Sequence, residues 1–228
     1  MKILDRSALR NAQTVDYIDS SAGAGNKVLR NTYMLLSMTL LFSALTAAAS
    51  VAFALPGPGI IITLVGYFGL LFLTTKFRNS GLGLLFVFAL TGFMGLTIGP
   101  VISRYLGMPG GSAIVMGAMG LTGLIFLGLS AYVLVSKRDF SFMGGFLMIG
   151  MLVAFVASLG AIFFQIPALS LTISAVMVLL MSGMILFETS NIIRGGETNY
   201  IMATVSLYIT IFNLFMSLLQ LLGFINEE

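Results

Sequence analysis

The sequence predicts an all-α integral membrane protein of seven transmembrane helices. Three observations carry that expectation. Of 228 residues, 58% are hydrophobic and only 8% charged, against about 25% charged in a soluble domain; the mean hydropathy is +1.07. Seven apolar runs, at 32–54, 59–75, 82–102, 112–135, 142–164, 168–191 and 200–223, each have about the length that crosses roughly 30 Å of hydrocarbon. The basic residues then fall in alternate connections, a pattern that six or eight spans would spoil.

Residues 1–26 form a polar tail and 27–228 a single membrane domain. The tail has no apolar h-region, so no cleavable signal peptide is expected and the first run serves as the membrane signal. Each break carries turn chemistry. Pro56-Gly57-Pro58-Gly59 ends the first run, and Lys76 to Gly81 separates the second from the third. Gly107 to Gly111 with Pro109 comes next, then Ser136-Lys137-Arg138-Asp139, then Gln165-Ile166-Pro167. In the last break, Arg194 to Asn199, Gly195 and Gly196 suit a helix C-cap and Thr198 or Asn199 the following N-cap. Ser43 and Ala47, Gly95 and Gly99, and Gly117, Gly120 and Gly123 offer small surfaces for close helix packing.

Lys2, Arg6, Arg10, Lys27 and Arg30 precede the first run, and Lys76, Arg78, Lys137, Arg138 and Arg194 lie in the second, fourth and sixth connections. Only Arg104 falls on the other side. The positive-inside rule places the N-terminus in the cytoplasm and the acidic end, Asn226-Glu227-Glu228, outside. Basic residues spread over loops do not form a nucleic-acid footprint. The chain has no cysteine and no histidine, so disulfides, thiolate chemistry and zinc sites are absent. A rhomboid-type protease needs a histidine base. An aspartyl intramembrane protease needs two embedded aspartates, yet the last Asp is Asp139 in a connection, and a retinal lysine is missing because no lysine follows Lys137. No enzyme and no cofactor is expected. The absence of an internal inverted repeat disfavours a small-solute transporter.

Glu188 is the one ionisable residue inside an apolar run, and a carboxylate at membrane depth marks a functional candidate with a partner to be found. It lies about five residues inside the cytoplasmic end of the sixth run. Three environments are open to it: an interface wetted from the cytoplasm; an ion pair with Lys76, Arg78 or Arg194; or burial beside the seventh run, where its charge would respond to pH without histidine. That seventh run carries Ser206, Thr210, Asn213, Ser217 and Gln220 at spacings of four, three, four and three, which line one helix face. Lipid cannot satisfy such a face, so it points at protein or water and the seventh helix is central, with the other six around it. The stripe is either interhelical hydrogen-bond glue or the lining of a hydrated path.

Phe187-Glu-Thr-Ser-Asn-Ile-Ile-Arg-Gly-Gly-Glu-Thr-Asn-Tyr200, Ala203-Thr-Val-Ser-Leu-Tyr208 and Asn213-Leu-Phe215 resemble the Bax inhibitor-1 family of seven-span proteins. Lys27 to Tyr33, Leu90 to Phe93 with Gly99-Pro100, Ser130 to Leu134, and Asp139 to Phe142 with Gly144-Gly145 extend the resemblance over roughly 27–224. Within the family it is similar to the bacterial inner-membrane branch, the YccA proteins that modulate the FtsH protease. The resemblance implies a six-helix ring around a seventh helix. It also implies an acidic pair acting as a pH-sensitive latch in calcium-leak members. Glu188 matches the first position and Thr210 the second, which cannot ionise, and Lys76 or Arg78 matches the basic residue that engages the latch. Half a dyad leaves little charge for a divalent ion. The expected function is therefore modulation of an FtsH-type protease, with residues 1–26 either a handle for it or only a topogenic segment. The alternative is a pH-responsive calcium or proton leak gated at Glu188, and the only other partner expected is membrane lipid.

Overall fold

The computed structural model describes residues 3–227, with side chains described for 26–161 and 163–226. The tail of residues 1–26 therefore lies, apart from Asn26, outside the residues whose side chains are described. Seven helices follow in order: α1 (Ile3–Ala52), α2 (Ile60–Lys76), α3 (Gly81–Leu106), α4 (Gly111–Ser136), α5 (Met143–Phe164), α6 (Pro167–Ile193) and α7 (Tyr200–Glu227). No strand occurs among the described residues. Among the described residues, six segments are long and apolar enough to cross a membrane: Asn26–Ala52 of α1, Gly81–Leu106, Gly111–Ser136, Met143–Ala161, Pro167–Ile193 and Tyr200–Asn226. The expected second span, α2, has 17 residues, about 25 Å at 1.5 Å per residue, and sits at the short end of what hydrocarbon requires.

Packing is uneven. α7 packs on α1, α3, α4 and α6, and these four also touch each other in the closed order α1–α3–α4–α6–α1. α2 lies chiefly against α3, and α5 chiefly against α6. α7 is the most buried of the six long segments and α5 the least. Leu207, Tyr208, Leu214 and Leu219 of α7 are all fully buried, whereas Met202, Ile209, Phe212 and Met216 are half-buried.

Close approach of α1 and α3 rests on small residues. A methyl group at Gly95 would collide with Thr46 Oγ1 and the Ser43 carbonyl, and one at Gly99 with Ser50. That proximity has a backbone purpose. Pro100 inside α3 has no N–H for the Leu96 carbonyl, and Ser50 Oγ donates to that carbonyl at 3.0 Å. In lipid such an orphan would cost several kcal/mol. The α4 glycines behave differently. Gly117 meets Leu222, whereas a side chain at Gly120 or Gly123 would meet nothing within 4 Å. The expected close packing at these two is therefore not made within the chain, because α4 turns that face outward.

Candidate functional site

The end of α6 carries three consecutive polar residues, Glu188, Thr189 and Ser190, all buried. Successive helical residues diverge by about 100°, so three neighbours in sequence address three neighbours in space. Glu188, 7% exposed, faces α7. Its Oε1 accepts from Ser206 Oγ at 2.5 Å, and Thr210 Oγ1 lies 3.1 Å from both carboxyl oxygens. Thr189 Oγ1 lies 3.3 Å from Tyr33 Oη on α1 and 3.5 Å from Ser130 Oγ on α4. Ser190 Oγ accepts from the Phe140 N–H at 3.1 Å and donates to the Arg138 carbonyl at 3.3 Å, fastening the α4–α5 connection onto α6.

Above this cluster, the connections are tied together. Arg194 Nε is 3.5 Å from Asp139 Oδ1, and its guanidinium donates to the Lys137 carbonyl at 2.9 Å. Gly195 closes α6 with φ 74°, a left-handed conformation that glycine adopts without strain. Asn199 caps α7, its Oδ1 accepting from the N–H groups of Ile201 at 3.0 Å and Met202 at 3.1 Å. Its Nδ2 donates to the Arg78 carbonyl at 3.1 Å and to Asn79 Oδ1 at 2.8 Å. The α6–α7 connection is thus the hub that holds the other two loops of this end. The Asp139 carboxyl is held below its ordinary value, mainly by the Ser141 N–H, then by the Ser141 hydroxyl, with Arg194 adding a smaller part.

The predicted residues divide accordingly. Glu188, Ser206 and Thr210 come together. Lys76, Arg78 and Arg194 do not reach Glu188. Lys76 Nζ stands 5.8 Å from the Phe77 ring centroid, Arg194 is engaged by Asp139, and among the described residues no cation forms an ion pair with Glu188. Nor is the α7 stripe one continuous lining. Asn213 Nδ2 bonds the Ile209 carbonyl at 2.8 Å and Ser217 Oγ the Asn213 carbonyl at 2.8 Å, both within their own helix. Gln220 belongs to a second cluster at the far end, accepting from Ser174 Oγ and donating to Ser170 Oγ, each at 2.7 Å.

Sequence reasoning missed Thr189, Ser190, Tyr33 and Ser130 as parts of the site. The signal was a polar triplet in an apolar run. It also missed Tyr208, whose hydroxyl lies 2.6 Å from Ser43 Oγ and donates to the Thr91 carbonyl at 3.3 Å, joining α1, α3 and α7. Among the described residues, Thr32 Oγ1 is the only buried side-chain oxygen or nitrogen left without a partner. No group of three or more Asp or Glu side chains that could hold a metal occurs among them either.

A helical membrane protein that buries one carboxyl against hydroxyls of its last helix is the class that fold and site define. Residues 25–227 match the family described as inhibitor of apoptosis-promoting Bax1, and the chain belongs to that family. It is 55% identical over 203 residues to "Modulator of FtsH protease YccA" of Escherichia coli K12, covering 89% of this chain and 92% of the relative. The same identity and coverage hold for "Inner membrane protein YccA" of Escherichia coli O6:H1. An uncharacterized protein of Pseudomonas aeruginosa is 55% identical over 196 residues, 86% of this chain and 88% of the relative.

Proposed function

We propose that this chain is an inner-membrane protein that binds and restrains a membrane-anchored protease of the FtsH type. The observation that carries this reading is the 55% identity, over 89% of the chain, to a relative named as a modulator of that protease. The placement of ten basic residues on one side orients the N-terminus towards the cytoplasm and the C-terminus away from it. α7 is read as the axis of the bundle, with α1, α3, α4 and α6 directly around it and α2 and α5 completing the ring from outside. A tightly tied bundle beside residues 1–26 gives an ATP-driven protease something to grip and little that it can pull through. The chain acts by occupying its partner and catalyses nothing itself. The test is affinity purification of the tagged full chain from native membranes. Stoichiometric capture of the protease is expected, together with slower degradation of a membrane substrate when the chain is added. Absence of the protease sinks the reading, and capture that survives deletion of residues 1–26 removes the handle.

The buried Glu188 carboxyl supports a second reading, a pH-responsive cation leak with Glu188 and Thr210 as gate. Lys76, Arg78 and Arg194 serve there as mobile counter-ions that reach the carboxyl only in another state. With Thr210 at the second latch position no proton is shared between two carboxylates, so a proton path is favoured over a calcium path. Proteoliposome flux discriminates: Glu188→Gln is expected to abolish the pH dependence of any flux, and equally negligible flux in both forms rules the leak out.

A further inference from the structure

At the end of the bundle opposite Glu188, the closed packing seen around Thr189 is lost. α1 and α6, joined through Tyr33 and Thr189 at the other end, contribute no common wall here. Instead α3, α6 and α7 leave an open cavity of about 370 Å³. It falls in the size range of small-ligand sites. A second cavity, of about 460 Å³, lies on the α5 side of the α6 start. Pro167, Ser170 and Gln220 line both, so the Gln220 amide with its two serines is the partition between them.

The first cavity has a mixed polar and apolar lining. Arg104 and Ser170 are among its polar lining residues, and Val101, Leu171 and Phe224 among its apolar ones. Arg104 is the only charged side chain described at this end of the molecule. It is exposed and makes no ion pair or hydrogen bond among the described residues. Ser170 Oγ accepts from Gln220 Nε2 at 2.7 Å, which fixes its position and leaves its own O–H to donate. A guanidinium fork and a hydroxyl donor lining one cavity match the oxygens of a phosphate anion. Ser170 is three residues inside the start of α6, roughly 4.5 Å along the axis. Val101, Leu171 and Phe224 supply apolar surface for the first methylenes of a chain. The cavity and Arg104 carry the inference; the start of α6, which has no side-chain cap, adds partial positive charge in the same sense.

We propose that the cavity between α3, α6 and α7 binds a phosphate anion through Arg104 and Ser170, either esterified in an anionic phospholipid or free. The proposal is independent of the protease reading. The chain contains no tryptophan, so Phe224→Trp places a single reporter on the cavity wall, and Val101→Trp is a second reporter should the first fail to fold. The full chain is placed in phosphatidylcholine nanodiscs and titrated with bromine-labelled phosphatidylglycerol or bromine-labelled phosphatidylcholine. The lipid source predicts half-quenching at a mole fraction about tenfold lower for the glycerol lipid, the effect of one charged contact. Arg104→Gln should remove that difference and Arg104→Lys keep part of it. The free source predicts instead a saturable change in emission on adding inorganic phosphate to the detergent-solubilised reporter, also lost in Arg104→Gln. Equal quenching by both lipids with no phosphate response overturns the site. A preference unchanged in Arg104→Gln overturns the assignment to Arg104.

Discussion

At the Glu188 end, side chains from α1, α4, α6 and α7 converge, and three connections are tied to one another by Asn199, Ser190 and Arg194. At the Gln220 end, one amide and two serines form a thin partition between two open cavities. The same helices make both ends, so the contrast arises from side chains. Where polar residues occur consecutively, each finds a different neighbour and the helices are drawn together. Where they occur singly and are flanked by small or apolar residues, a single bridge forms and space remains around it. A membrane bundle gains little from apolar contact, because lipid tails solvate leucine as well as protein does. The hydrogen bonds therefore decide which end is closed.

If this is right, the largest effect comes from stripping the donors from Glu188. Ser206→Ala with Thr210→Val leaves a buried carboxyl with no hydroxyl partner, and unsatisfied buried acceptors, charged ones above all, are costly. The double variant should lose about 2–5 kcal/mol, read as a lower midpoint of unfolding in detergent. In a Glu188→Leu background the same two substitutions should cost far less, since no acceptor is left wanting. An equal cost in both backgrounds would mean that the hydroxyls do not serve the carboxyl.

Gln220→Ala should cost much less, about 1 kcal/mol. Ser174 keeps its bond to the Ser170 carbonyl at 3.1 Å, and Ser170 borders open space. Positions 206 and 220 are fourteen residues apart on one helix, roughly 21 Å. Gln220→Ala and Ser206→Ala should therefore add within about 0.5 kcal/mol. Strong coupling between them would show that the two ends are not separate units.

The apolar runs were legible because hydropathy sums along a helix whatever its neighbours, and six of the seven match a helix to within a few residues, whereas α1 begins at Ile3, well before the first run at 32. Ser43, Ala47, Gly95 and Gly99 were legible as a packing face for the same local reason. Gly120 and Gly123 carry an equally good pattern yet meet nothing within 4 Å, since small size permits close approach without requiring it. The period of α7 put five polar residues on one face. Spacing does not say whether a side chain reaches a neighbour or its own carbonyl four residues back, and Asn213 and Ser217 took the second course. Arg194 stood near Glu188 in sequence, but as the C-cap of α6 it points along the end of the bundle, where Asp139 meets it. That Glu188 needs a partner was legible from its place in an apolar run, but the sequence left a wetted interface, an ion pair and burial beside α7 equally open. The branching of Thr189 and Ser190 to α1, α4 and a loop required the tertiary arrangement.

The smallest effect expected is at the outer edge of the closed end. Asp139 is exposed, and its carboxyl is depressed first by the Ser141 N–H, 2.9 Å from Oδ1, then by the Ser141 hydroxyl and only lastly by Arg194. A depressed native value means that the unfolded chain binds the proton more readily than the folded one. Whatever stability Asp139 contributes is therefore complete above the ordinary carboxylate range and disappears as the pH falls through the lowered native value. Asp139→Asn should lower the unfolding midpoint slightly at about pH 7 and leave it equal to the parent at strongly acid pH. The part due to Arg194 should shrink as salt shortens the screening length to about 3 Å at 1 M, while the part due to Ser141, a contact within one turn, should persist. A difference that stays constant from neutral to acid pH would remove Asp139 from the ties that close this end, leaving Ser190 and the bond from Arg194 to the Lys137 carbonyl to hold the α4–α5 connection.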